Sequence, residues 1–178
     1  MTHNIIISGF GGQGILFASK QLAKSAMHED LHVSWLPSYG PEMRGGACNC
    51  SVIISDEEIG SPLIPHPDIL IVFNLPSFDK FESQVSAGGL LIVDSTLVNK
   101  KSERDDINVS YIPATGLAAD NKLDGLANVI VLGHLLKKTG MFDYDSFLSF
   151  MVSSIPPAKA ALIEKNTLAL KIGYDYEG

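Results

Sequence analysis

The chain has 178 residues, 46% of them apolar and 19% charged, with a net charge of −7. That length suits one domain with a sizeable core. The acidic balance excludes nucleic-acid binding, which needs clustered Lys and Arg, and no apolar run is long enough to span a bilayer.

Met1-Thr2-His3-Asn4 leads directly into a strand pattern without the basic stretch of a signal peptide, so a cytoplasmic protein is expected. Ile5-Ile6-Ile7 is a strand that runs into Gly9-Phe10-Gly11-Gly12-Gln13-Gly14, and a helical pattern over 13–28 leaves it. A strand, a glycine turn and a helix in that order suit an anion, because glycine admits positive φ and lets backbone N–H groups approach closely. The spacing Gly9-x-Gly11-x-x-Gly14 fits the dinucleotide fingerprint, which alone is a weak signal. Its position between strand and helix favours the anion-binding reading over a tight turn that packs the helix on the sheet and binds nothing. Gln13 has two readings, a ligand contact beside the amides or a helix-start residue.

Leu31–Leu36 is a second strand. A dinucleotide-binding unit carries Asp or Glu at its end for the ribose. Here Pro37, Ser38 and Tyr39 stand there, which argues against NAD. Ala47–Ser55 is a third strand, and the connection of residues 37–46 is too short for a parallel crossover. Strands two and three are therefore expected to be antiparallel if they are neighbours. Cys48 and Cys50 should share a face of that strand. A disulfide between them would be strained, and two thiols are too few for an iron–sulfur cluster, so both are read as reduced packing residues.

Further on, Asp68–Asn74 and Leu90–Asp94 are buried strands, Pro76–Val85 a short helix and Ile107–Ile112 a further strand. The rest turns helical over Thr115–Asp120, Leu126–Lys138, Tyr144–Val152 and Ala158–Leu170, with breaks at Gly140 and Pro156-Pro157. No linker or repeat divides the chain. The five histidines show no metal spacing, and His134 reads as a core or interface residue. No nucleophile elbow, Walker lysine or acid/base pair is present, so no catalytic or metal-ligating residue is expected. Asn128 reads as a capping or buried hydrogen-bonding residue.

A second stretch, Pro37-Ser38-Tyr39-Gly40-Pro41-Glu42-Met43-Arg44-Gly45-Gly46, sets a guanidinium beside two glycines. Its planar fork suits a carboxylate or phosphate, with Glu42 as the competing internal partner. Together with the glycine turn, and extended by Ser55–Pro62 and Asn128–Gly133, this stretch resembles the gamma subunit of the 2-oxoacid:ferredoxin oxidoreductases, most closely the 2-oxoglutarate type. The resemblance covers nearly the whole chain. It implies one Rossmann-like three-layer α/β domain over residues 1–178, with a mostly parallel sheet, one antiparallel departure and a helical C-terminal third. Enzymes of that family use thiamine diphosphate to decarboxylate a 2-oxoacid, pass electrons through iron–sulfur clusters to ferredoxin and form the acyl-CoA, here succinyl-CoA.

The resemblance further implies that thiamine diphosphate and the clusters lie on alpha and beta partners, in some cases with a ferredoxin-like delta subunit. This chain would be inactive alone and would take coenzyme A. The matching positions are Gly9, Gly11, Gly12, Gln13, Gly14, Ser38, Tyr39, Glu42, Arg44, Gly45 and Gly46. Three other readings stay open: the indolepyruvate oxidoreductase beta subunit, which shares the Gly-Gly-Gln-Gly turn; a stand-alone NAD(P)- or flavin-binding oxidoreductase domain; and a purely structural subunit.

Overall fold

Apolar runs such as Ile69–Val72 and Leu91–Val93 form strands covered on both faces, and the computed structural model buries all of these side chains. It describes residues 1–39 and 47–178. In chain order the elements are β1 (Thr2–Phe10), α1 (Ile15–His28), β2 (His32–Tyr39), β3 (Ala47–Ser55), β4 (Ile69–Val72), α2 (Leu75–Phe81), β5 (Leu90–Asp94), β6 (Asn108–Ile112), α3 (Ala114–Asp120), α4 (Ala127–Thr139), α5 (Tyr144–Ser153) and α6 (Ala161–Asp175). Short 3-10 turns occupy Glu82–Gln84 and Pro157–Lys159.

The six strands form one sheet in the order β2-β3-β1-β4-β5-β6. β1, β4, β5 and β6 are mutually parallel, and β3 runs against both of its neighbours. The short 37–46 connection thus gives the antiparallel pair expected from it. The sequence did not show that β3 would lie between β2 and β1. β2 also continues past Leu36 to Tyr39, through Pro37. An edge strand tolerates proline, because its outward side needs no N–H for the ladder.

One face of the sheet, through Ile5, Ile7, Cys50, Val52 and Ile71, packs on α1, α4 and α6. The other, through Ile6, Leu70, Val72, Leu91 and Val93, receives Phe78 and Phe81 of α2. Three layers result, as expected. α6 starts at Ala161, later than the sequence pattern indicated, because Pro156-Pro157 passes first into a 3-10 turn, and it runs past Leu170 to Asp175. α4 and α6 cross backbone to backbone: Gly133 lies against Leu170, and Gly173 against Ile130 and His134. Both cysteines are buried and free, and burial raises both thiols, Cys50 to about 11. They stay protonated at neutral pH. No helix among the described residues is long and apolar enough to cross a membrane.

His134 is fully buried on α4, as the core reading expected, with Nε2 2.7 Å from Ser110 Oγ. Its Nδ1 has no partner among the described residues. Burial first, then nearby Lys138, lowers its pKa to about 4 from 6.5. The unfolded chain therefore binds the proton more tightly, and stability falls as the pH drops from about 6.5 towards 4. We expect urea unfolding to lose about 1.5 kcal/mol between pH 6.5 and 5 through this group. In His134→Gln that part of the pH dependence should vanish; an unchanged slope would place the titration elsewhere.

Candidate functional site

Glycines at the end of β1 let the chain turn tightly onto α1. Gly9 sits where a side chain would collide with Phe73 and with Gln13, so β1 can pass β4 and the turn only without one. Gly12 and Gly14 have φ of 98° and 77°, the left-handed region that glycine enters at little cost. Gly14 is the N-cap of α1 and supplies no side chain to cap it. The first-turn amides of α1 are thus available to an anion. The helix starts at Ile15 rather than at 13 because Gln13 is turned back into the loop.

Gln13 has a role that neither of its expected readings included. Phe10 N–H donates to its Oε1 at 2.6 Å, while its Nε2 donates to the Phe73 carbonyl at 3.1 Å. The side chain braces the end of β1 against the end of β4. Asn128 holds the far side of the turn: its Nδ2 donates to the Gly14 carbonyl at 3.2 Å, and its Oδ1 accepts from Val129 N–H at 3.0 Å. This is the buried hydrogen-bonding role expected of it. Ala at position 14 would suffer a left-handed penalty of about 1–2 kcal/mol and would displace the Asn128 amide. Gly14→Ala should therefore lower Tm, and an unshifted melting curve would contradict this account of the turn.

The turn opens on a crevice of about 270 Å³ at the carboxyl ends of the parallel strands. Gly12 and Gln13 form one wall, Phe73 and Leu97 follow β4 and β5, and Thr115 and Ala118 of α3 with Asp124 and Gly125 close the other side. This is where β1 leads one way across the sheet and β4 the other, the place where open α/β sheets bind ligands. The sequence did not single out Thr115, Leu97 or Asp124. For Leu97 and Thr115 the usable signal was their position just beyond the ends of β5 and β6, whereas Asp124 comes only after α3. Asp94, at the end of β5, is 1% exposed and bonded to Thr96 and Thr115, so it builds the wall and does not face a ligand.

The register carries the residues that flank the 40–46 connection to the same end of the sheet. Phe10 pairs with Ala47 and Tyr39 with Cys48, so β2 ends and β3 begins beside the glycine turn. Ser38 is exposed there, the last but one residue of β2. Glu42, Arg44, Gly45 and Gly46 lie outside the described residues, as does the Tyr39 side chain. Among the described residues no group of His, Cys, Asp or Glu could hold a metal ion.

The chain is thus a doubly wound α/β domain with an uncapped glycine turn at its switch point, the place where folds of this class take ligands. The chain belongs to the family described as pyruvate ferredoxin/flavodoxin oxidoreductase, whose model matches residues 4–176. It is 36% identical over 178 residues to the 2-oxoglutarate synthase subunit KorC of Methanocaldococcus jannaschii, covering 98% of this chain and 94% of that one. It is 37% identical over 175 residues to the ketoisovalerate oxidoreductase subunit VorA of Methanothermobacter marburgensis, covering 96% of this chain but only 35% of that longer one. Among solved structures, it resembles the gamma subunit of a keto/oxoacid ferredoxin oxidoreductase from Geobacter sulfurreducens, with a TM-score of 0.85 and 28% identity over 98% of this chain and 95% of that one. The 2-oxoglutarate:ferredoxin oxidoreductase of Magnetococcus marinus, solved with 2-oxoglutarate, coenzyme A and succinyl-CoA, shares the fold at a TM-score of 0.88. Identity there is 18%, over 97% of this chain and 30% of that one.

Proposed function

We propose that this chain is the gamma component of a 2-oxoacid:ferredoxin oxidoreductase, with 2-oxoglutarate as the 2-oxoacid, and that its glycine turn receives coenzyme A. The observation that carries the coenzyme A reading is the uncapped start of α1, opening with Gly12 and Gln13 onto the switch-point crevice. Amides at a helix start, and a guanidinium from the 40–46 connection, suit the phosphates of that carrier. Thiamine diphosphate and the iron–sulfur clusters belong to sister subunits in this reading, and ferredoxin takes the electrons. The chain's part is to bind the carrier, fix its phosphates and so bring its thiol to the acyl intermediate's side of the assembly. The substrate assignment leans on the KorC relatives, since the VorA relatives are named for a different 2-oxoacid.

The test uses the assembled enzyme. Arg44→Ala should raise KM for coenzyme A about tenfold with kcat little changed, the signature of lost uniform binding. Unchanged kinetics together with unchanged assembly would remove the 40–46 connection from the site. The isolated chain should turn over no 2-oxoacid, and activity from it alone would overturn the reading. Micromolar binding of NADH to the isolated chain, seen as a fluorescence change, would favour a stand-alone dinucleotide domain instead.

A further inference from the structure

Every residue from Pro156 to Lys165 is exposed, although seven of the ten are Pro, Ala, Leu or Ile. Leu162 and Ile163 stand 40% and 36% exposed on the first turn of α6, and Phe17 on α1 is 41% exposed. These side chains are not scattered. Phe17, Gln21 and Lys24 form an i, i+4, i+7 stripe along α1, and Ile155, Lys159 and Leu162 face them across a groove of about 490 Å³. A continuous apolar surface rimmed by charge marks a protein contact more often than bare solvent.

Two features define what would fill it. First, the rim is positive in a chain whose net charge is −7. Lys24 and Lys159 enter no ion pair among the described residues, while Lys20 alongside rests over the Trp35 ring. Second, Gln21 is 6% exposed, yet its Oε1 has no donor among the described residues. A buried acceptor of that kind is costly unless a partner supplies an N–H. The VorA relative carries this same domain as 35% of a longer chain, so in that protein further polypeptide is attached to it.

We propose that the groove between α1 and the start of α6 docks an amphipathic segment of a sister subunit. Its large apolar side chains rest on Phe17, Ile155 and Leu162, its carboxylates meet Lys24 and Lys159, and one of its N–H groups satisfies Gln21. The groove adjoins the crevice assigned to coenzyme A, since Gly125 lines both and Gly14 and Asn128 line the groove, but the inference rests on family membership rather than on that assignment.

Hydrogen exchange on the co-expressed, purified assembly tests it against the isolated full chain. Amides of Ile155 and of residues 158–163 should exchange at least tenfold more slowly in the assembly. Lys24→Glu with Lys159→Glu, both at exposed positions, should cut the recovery of co-expressed sister subunits at least tenfold, while Lys24→Arg with Lys159→Arg retains it. The circular dichroism of the charge-reversed chain should match that of the parent. Equal exchange in both states, or full recovery after charge reversal, overturns the proposal. So does protection of the isolated chain by coenzyme A alone, which would make the groove a carrier site. Protection that rises with chain concentration alone would point to a second copy, and it too overturns the proposal.

Discussion

Gly173→Ala should cost the fold on the order of 3 kcal/mol or more, at the upper end of what overpacking usually does. A methyl group there would fall inside contact distance of the Ile130 carbonyl and 3.0 Å from His134 N. Both obstacles are backbone atoms of a helix, so neither can swing aside as a side chain would. α4 and α6 would have to separate, and with them Val129, Leu132, Ala169 and Leu170, all fully buried. Intrinsic helix propensity works the other way, favouring Ala over Gly by about 1 kcal/mol, and the steric term outweighs it. Gly133→Ala should behave alike, because its methyl would meet the Leu170 carbonyl and lie 2.9 Å from Tyr174 N. The double variant should cost less than the sum, since helices parted by the first methyl leave room for the second. Gly116→Ala is the control: its methyl would come no closer than 3.2 Å to the Thr96 hydroxyl, and the expected change is small. Chemical denaturation of the four variants decides the matter. A neutral Gly173→Ala would mean that the helices are further apart than described.

The second large effect is expected at Asp94. Its carboxylate accepts from Thr96 N–H at 3.1 Å, from Thr115 N–H at 3.2 Å and from the Thr115 hydroxyl at 2.6 Å. Thr96 Oγ1 in turn accepts from Gly116 N–H at 3.0 Å. One buried anion thus ties the end of β5 to the start of α3, and the crevice wall at Leu97, Thr115 and Ala118 stands on that tie. Asp94→Asn keeps the shape but turns an NH2 group towards donors, leaving at least one of them unpaired. The expected loss is about 3 kcal/mol of stability, in the range for a buried charge-assisted network broken on one side. In the assembled enzyme we also expect KM for coenzyme A to rise. Thr115→Val should lose only about 1 kcal/mol, since it removes one hydroxyl bond and leaves the anion two backbone donors. Wild-type stability for Asp94→Asn would show that the carboxylate does not organise this end of the sheet.

The parts of the molecule legible in sequence are those whose determinants are local. Nine consecutive residues, Ala47–Ser55, read as a strand and form one with the same ends, and the length of the preceding connection alone dictated its direction. Glycine spacing located the turn. What escaped the reading depends on partners distant in the chain. Gln13 gains its role from Phe73, sixty residues on, and Asp94 from Thr115, twenty-one residues on. Nothing near either residue advertises the bond. The position of β3 within the sheet is equally a matter of tertiary pairing, because any alternating strand can accept either neighbour. Of the eleven site positions drawn from the family resemblance, Gly12 and Gln13 line the crevice, Gly14 lines the adjoining groove and Ser38 lies at the same end of the sheet, while four fall in the undescribed 40–46 connection.

That inserted strand also bears on which cofactor the domain could choose. In a dinucleotide-binding unit the second strand neighbours the first, and its terminal acid reaches the sugar of a nucleotide whose pyrophosphate rests on the glycines. Here β3 is wedged between them, so the tip of β2 stands two ladder spacings, about 9.6 Å, from β1. An acid engineered at Ser38 would grip empty solvent rather than adenosine. A hairpin thus takes the seat from which nicotinamide enzymes read their coenzyme.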